Sequence, residues 1–185
     1  MVTWESRDQD GNDWGVFGRR FSAVGTSLGS EFQVNSTTER SQERPSVTPL
    51  DDGGYLVVWQ ADGSYGQTPD DSGRGVYGQR FSADGNIIGN EFLVNSYPSN
   101  DQELPAITAL ERQGFLATWQ SQGQDGSTSG IYAQRFSSAS QIRIDQTIIG
   151  GDQDDTLTGG VGNQELVVVE GNDLIDGGPG FNTYD

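Results

Sequence analysis

Asp155 and Asp173 stand eighteen residues apart, each at the sixth place of a nine-residue unit, among glycines, amides and further acids. Four such units, residues 150–158, 159–167, 168–176 and 177–185, fill the C-terminus without a gap. Position six reads Asp155, Gln164, Asp173 and Asn182, and position eight reads Leu157, Leu166, Ile175 and Tyr184. Carboxylates set among glycines, whose carbonyls are accessible, are the donor set of a hard cation that takes six to eight oxygens, and calcium fits that description best. Glycine allows a six-residue loop to turn through backbone angles that side chains forbid, leaving three residues for a short strand with one apolar side chain inward.

The units read GGDQDDTLT, GGVGNQELV, VVEGNDLID and GGPGFNTYD. They resemble the RTX, or haemolysin-type, calcium-binding nonapeptide G-G-x-G-x-D-x-U-x, in which U is a large apolar residue. The resemblance covers about a fifth of the chain and implies a short parallel β-roll in which loops two units apart share an edge. On that reading Asp155 faces Asp173 on one edge, with Gly150, Asp152, Asp154, Gly171 and Asn172 as neighbouring donors. Gln164 faces Asn182 on the other edge as a weaker or empty site, because amides replace carboxylates there. The pattern is degenerate elsewhere too, with Gln153 at a glycine position and Val168 and Val169 in place of a glycine pair. The alternative is a Gly/Asp-rich linker without metal, against which the unbroken register argues. After Arg143 there is no basic residue, and residues 150–185 hold eight acids, a self-repulsion that a bound cation relieves.

The inventory excludes much other chemistry. With no Cys and no His, there are no disulfides, no Cys/His zinc sites and no Ser-His or Cys-His nucleophile. Catalysis would have to run on carboxylates. The net charge of −17 argues against nucleic acid or an anionic membrane as partner. No apolar run is long enough to span a bilayer, and no N-terminal signal peptide is evident. The RTX resemblance implies a secreted bacterial protein exported by a type I route, and a chain that stops in mid-pattern reads as a piece of a longer one.

What precedes the nonapeptides is a second, longer repeat. A shift of sixty residues matches residues 31–60 with 91–120 at fourteen of thirty positions, among them Phe32/Phe92, Pro45/Pro105 and Trp59/Trp119. GVFGRRFS (15–22), GVYGQRFS (75–82) and GIYAQRFS (130–137) form a parallel series, as do Trp4, Trp59 and Trp119. Each copy contains four strand-like segments bounded by Gly, Asp, Asn and Pro, and none reads as a helix. Asp84-Gly85 predicts a two-residue hairpin turn that pairs Tyr77 with Phe92 and Phe81 with Ile88; the first copy would pair Phe17 with Phe32.

The predicted fold is therefore all-β: about eleven strands in tandem four-stranded, propeller-like blades over residues 1–146, then the roll over 147–185. Three repeats fall short of the four blades a closed propeller normally needs. Either other sequence or a second subunit completes the ring, or the repeats close a threefold fold such as a trefoil. The series also resembles W-x-S/A … V/I-Y-x-Q-R-F repeats found beside RTX segments in large secreted bacterial proteins.

Further candidates lie in the variable loop between the Trp and QRF strands. Ser6-x-Asp8-x-Asp10-Gly11 partly resembles a D-x-D-x-D-G calcium loop, making Asp8, Asp10 and Asp13 weaker metal candidates against an acidic solvated turn. Trp14, placed in that loop, is either a stacking platform for a sugar or peptide or packs on its own loop. Arg20, Arg80 and Arg135 recur with the fold and read as structural. Together these readings describe a calcium-binding extracellular binding or adhesion module, with a glycan or cell-surface ligand as partner. The alternatives are a carboxylate-based glycan hydrolase or lyase, and a structural spacer.

Overall fold

A computed structural model describes residues 1–63, 73–110, 114–126, 128–137, 143–144, 146–149, 156–158, 164–167, 174–176 and 183–184, with side chains as far as Phe136. Among the described residues there are sixteen strands and no helix. The first eleven make three open antiparallel sheets, each a meander in chain order. The first sheet holds β1 (Val2–Arg7), β2 (Trp14–Arg19) and β3 (Phe32–Gln33). The second holds β4 (Gln42–Pro49), β5 (Tyr55–Asp62), β6 (Arg74–Phe81) and β7 (Ile87–Leu93). The third holds β8 (Gln102–Leu110), β9 (Gly114–Gln122), β10 (Ser129–Ser137) and β11 (Arg143–Ile144). Four-stranded meanders repeated in tandem are the blade-like arrangement the sequence predicted, and no sheet closes into a barrel as a trefoil would.

The remaining strands are parallel. Strands β12 (Gln146–Ile149), β14 (Gln164–Val167) and β16 (Thr183–Tyr184) form one small sheet, and β13 (Thr156–Thr158) and β15 (Leu174–Asp176) another. The chain divides into two compact units, Met1–Glu111 with Leu116–Ala133, and Arg112–Phe115 with Gln134–Asp185. The parallel strands begin at Gln146.

In the first unit the core joins two sheets: Val16 and Val34 pack with Val57, Trp59, Ala61, Tyr77 and Phe81, all essentially buried. Phe32 meets Phe81 at 5.4 Å between ring centroids, tilted by 52°. In the second unit Phe115 stacks on Phe136 at 4.9 Å.

The hairpin register differs by one residue from the sequence expectation. Tyr77 pairs with Leu93, Gly78 with Phe92 and Phe81 with Ile87; in the first copy Gly18, not Phe17, pairs with Phe32. The turn is the reason. Ser82 N–H donates to Asn86 O and Gly85 N–H to Ser82 O, with Gly85 at φ +84°, so Ala83, Asp84 and Gly85 form a three-residue loop. The glycine takes the left-handed position that follows a type I turn rather than the second place of a two-residue turn. A bulge between Gly78 and Arg80 then shifts the register again, and the Gln79 amide fills it by donating to Arg80 O and Ile88 O. The expected aromatic pairs are thus aromatic-over-glycine contacts: a Cβ on Gly78 would stand 2.8 Å from the Phe92 ring.

Adjacent sheets are pinned by a device that the sequence reading did not single out. Asn35 Oδ1 accepts the Val16 N–H at 2.7 Å, while Asn35 Nδ2 donates to Thr37 O and to Gln42 Oε1. Gln42 Nε2 donates in turn to Glu39 O and Arg40 O. Sixty residues on, Asn95 and Gln102 repeat every one of these bonds with Val76, Tyr97, Ser99 and Asn100. All four amide side chains are buried. The connection from the end of one sheet to the first strand of the next is therefore fixed by side chains, where a bare loop would leave buried backbone groups unpaired.

Candidate functional site

The nonapeptide segment orders its strands as the ninefold register requires. Described strand residues take positions seven to nine of the first and third units, six to nine of the second and seven and eight of the fourth, and every pairing joins residues eighteen apart: Thr156 with Leu174, Leu157 with Ile175, Leu166 with Tyr184. Units two apart are neighbours, and alternate units build separate sheets. β12 is an addition that the glycine pattern concealed. Residues 141–149 have no glycine, yet Ile148 lies nine before Leu157 and pairs in parallel with Leu166. Apolar spacing alone was the available signal. Asp155, Asp173, Gly150, Asp152, Asp154, Gly171, Asn172 and Asn182 lie outside the described residues; Gln164 is the first residue of β14.

The acidic loop between β1 and β2 is closed by its own hydrogen bonds. Asp8 N–H donates to Asp13 O at 2.7 Å, and Asp10 Oδ1 accepts the Asn12 N–H. Asp10 Oδ2 accepts from Gln33, and Asp13 accepts from Ser41 Oγ while Arg7 sits 3.3 Å from its other oxygen. Arg7 lies beside both the Asp8 and the Asp13 carboxylates while Asp10 turns to Gln33, and no group of three or more acidic side chains placed to hold a metal occurs among the described residues. Trp14 is not in the loop; it is the half-buried first residue of β2, paired with Arg7.

Two of the three recurrent arginines, Arg20 and Arg80, bond to turns. Arg20 donates to Ala83 O, in the β6–β7 turn of the neighbouring sheet, at 2.6 Å. Arg80 bonds Asp52 in the β4–β5 turn. The Gly54 backbone N–H, and then Arg80, hold the Asp52 carboxyl below the usual carboxylate range. A carboxyl lowered in the folded state stabilises it above the unfolded value near 4, and that contribution is lost as pH falls through the folded value. Asp52→Asn should therefore flatten the acid limb of a stability–pH curve below about pH 4. Because Asp52 is half exposed, the change should stay within about 1 kcal/mol in urea titrations at pH 3 and pH 7.

A cleft of about 420 Å³ opens among Arg40, Asp62, Gly63, Gly73, Arg74 and Asp101. Arg74 takes the place held by Trp14 and Ser129 in the other copies. Its guanidinium donates to Asp62 at 2.6 Å and also to Glu103, which together raise it above the ordinary arginine range, while its backbone N–H donates to Asp101. The variable residue at that position concealed this network from sequence reading. Two of the three acids around Arg74 are committed to its charge, so the cleft holds a satisfied ionic network.

No protein-family model matches the chain, and no curated protein matches it. Among solved structures, an endo-arabinase from Bacteroides thetaiotaomicron VPI-5482 is similar at a TM-score of 0.46 and 11% identity, over 71% of this chain and 49% of that one. The chain thus spans about half the length of that enzyme.

Proposed function

We propose that this is a secreted calcium-binding repeat protein, its blade-like sheets an extracellular binding or adhesion module and its C-terminal roll folding around calcium. The observation that supports this most is the parallel register of the tail. Thr156, which follows Asp155, is the partner of Leu174, which follows Asp173. That register is the one a calcium roll of nonapeptides needs. The eight acids of residues 150–185, with no basic residue among them, supply the charge that a divalent cation offsets.

Ion binding is then linked to folding, and calcium at a hundred times its dissociation constant would add about 2.7 kcal/mol to the stability of the roll. Calcium titration followed by circular dichroism and calorimetry tests the reading. A saturable heat accompanied by a gain in β signal is expected, with Asp155→Asn and Asp173→Asn weakening it most and Asn182→Ala least. No heat and an unchanged spectrum at millimolar calcium would remove the metal from this reading. A carboxylate-based glycan hydrolase or lyase is the competing reading; glycan turnover abolished by a single change at Asp62 or Asp101 would favour it over a binding module.

A further inference from the structure

We infer that the cleft beside Arg74 is a binding site for a sugar that bears a carboxylate, a uronic acid residue of an acidic glycan, with Arg40 as its anchor. The inference rests on the reading of the sheets as a binding module and names the class of ligand that the module takes.

Arg40 lies in the connection from β3 to β4, and its guanidinium has no hydrogen bond or ion pair among the described residues. A Cβ on Gly63 would stand 1.7 Å from Arg40 Nη1 and 2.8 Å from Cζ, so the guanidinium is seated on the Gly63 backbone at the cleft wall. The backbone of Arg40 is left-handed at φ +64°, a conformation that suits Gly and Asn and costs other side chains energy. Strain of this kind collects at ligand sites.

The next repeat is an internal control. Asn100, Gln122 and Ser129 stand there in the places of Arg40, Asp62 and Arg74. The backbone is tied alike in both copies: Asp62 N–H donates to Ser41 O at 3.0 Å, and Gln122 N–H to Asp101 O at 2.9 Å. Asn100, at φ +62°, donates its amide to Gln122 O. The connection therefore folds with neutral residues, and the charges around the cleft are not a requirement of the fold.

What those charges offer is a guanidinium and two acceptors. Arg74 occupies Asp62 Oδ1 with its side chain and Asp101 Oδ1 with its backbone N–H, and it also donates to Glu103. The second oxygens of Asp62 and Asp101 have no hydrogen-bond partner among the described residues. Arg40 can donate to a carboxylate, while those two oxygens accept from hydroxyls. A uronate carries both groups on one ring. A phosphate or sulfate would set acceptors against two acids, and a neutral sugar would leave the Arg40 charge unmatched. The cleft, at about 420 Å³, lies in the size range of small-ligand sites.

The test is calorimetric titration of the 185-residue protein with trigalacturonate and with its fully methyl-esterified form, with calcium chelated so that the C-terminal segment does not contribute. Trigalacturonate should bind roughly three- to tenfold tighter than the ester. Arg40→Asn, the residue the next repeat carries, should erase that preference without lowering the urea midpoint. Asp101→Asn, which keeps an acceptor for the Arg74 N–H, should weaken acid and ester alike. Equal affinity for acid and ester, a preference that survives Arg40→Asn, or no heat with either at millimolar concentration would overturn the assignment. The first two outcomes still leave a glycan bound and so spare the binding-module reading; after the third, a glycan array tests that reading apart from this cleft.

Discussion

Asn95→Ala is expected to lower the unfolding free energy by about 2–5 kcal/mol, a larger effect than a polar loop residue ordinarily has. The Asn95 carboxamide accepts the Val76 N–H at 2.8 Å and donates to Gln102 Oε1 at 3.0 Å, and Val76, Asn95 and Gln102 are all buried. Truncation leaves at least one buried donor and one buried acceptor unpaired, each worth about 1–3 kcal/mol. Urea unfolding should give a lower midpoint at unchanged slope. Asn95→Asp should not recover the loss, since its second carboxylate oxygen would face the Tyr97 O and Gln102 Oε1 acceptors in a buried site. A loss under about 1 kcal/mol for the alanine variant would mean that water substitutes for the amide.

The second large effect compares one residue type at two places in the repeat. Trp59→Ala should cost about 3–5 kcal/mol, because a fully buried indole in a cluster with Val16, Val34, Val57 and Tyr77 leaves a cavity when it is removed. Trp4→Ala should cost roughly half as much or less, because its side chain is already partly in water. The indole Nε1 of Trp59 has no hydrogen-bond partner, so Trp59→Phe removes a buried unpaired donor along with some volume. Its loss should stay under about 2 kcal/mol. Equal destabilisation by the two alanine variants in chemical denaturation would contradict the burial difference between β1 and β5.

Much of the architecture was legible because its signals are periodic and local. Alternating apolar and β-branched residues between Gly, Asp and Pro set the strands, and the sixty-residue recurrence of Trp, Pro and Phe divided them into four-stranded sheets. The candidate metal segment was legible in the same way, by a glycine and apolar period of nine. Readings failed where a long-range partner decided the outcome. Trp14 looked like a loop residue until β2 extended to pair it with Arg7, and the side-chain partners of the Asp8–Asp13 loop, Arg7, Gln33 and Ser41, come from outside its motif.

The sequence by itself determined the strand content, the two repeat lengths, the exclusion of Cys and His chemistry and the eighteen-residue spacing of Asp155 and Asp173. Composition and period are properties of neighbours along the chain, so no folding is needed to read them. The tertiary structure alone decided the one-residue register of the hairpins, the Asn–Gln pins and the Arg74 network. Each depends on atoms that only folding brings together: a left-handed glycine in a turn, an amide inside a bulge, a buried N–H nineteen residues from its acceptor, and a guanidinium between carboxylates twelve and twenty-nine residues away.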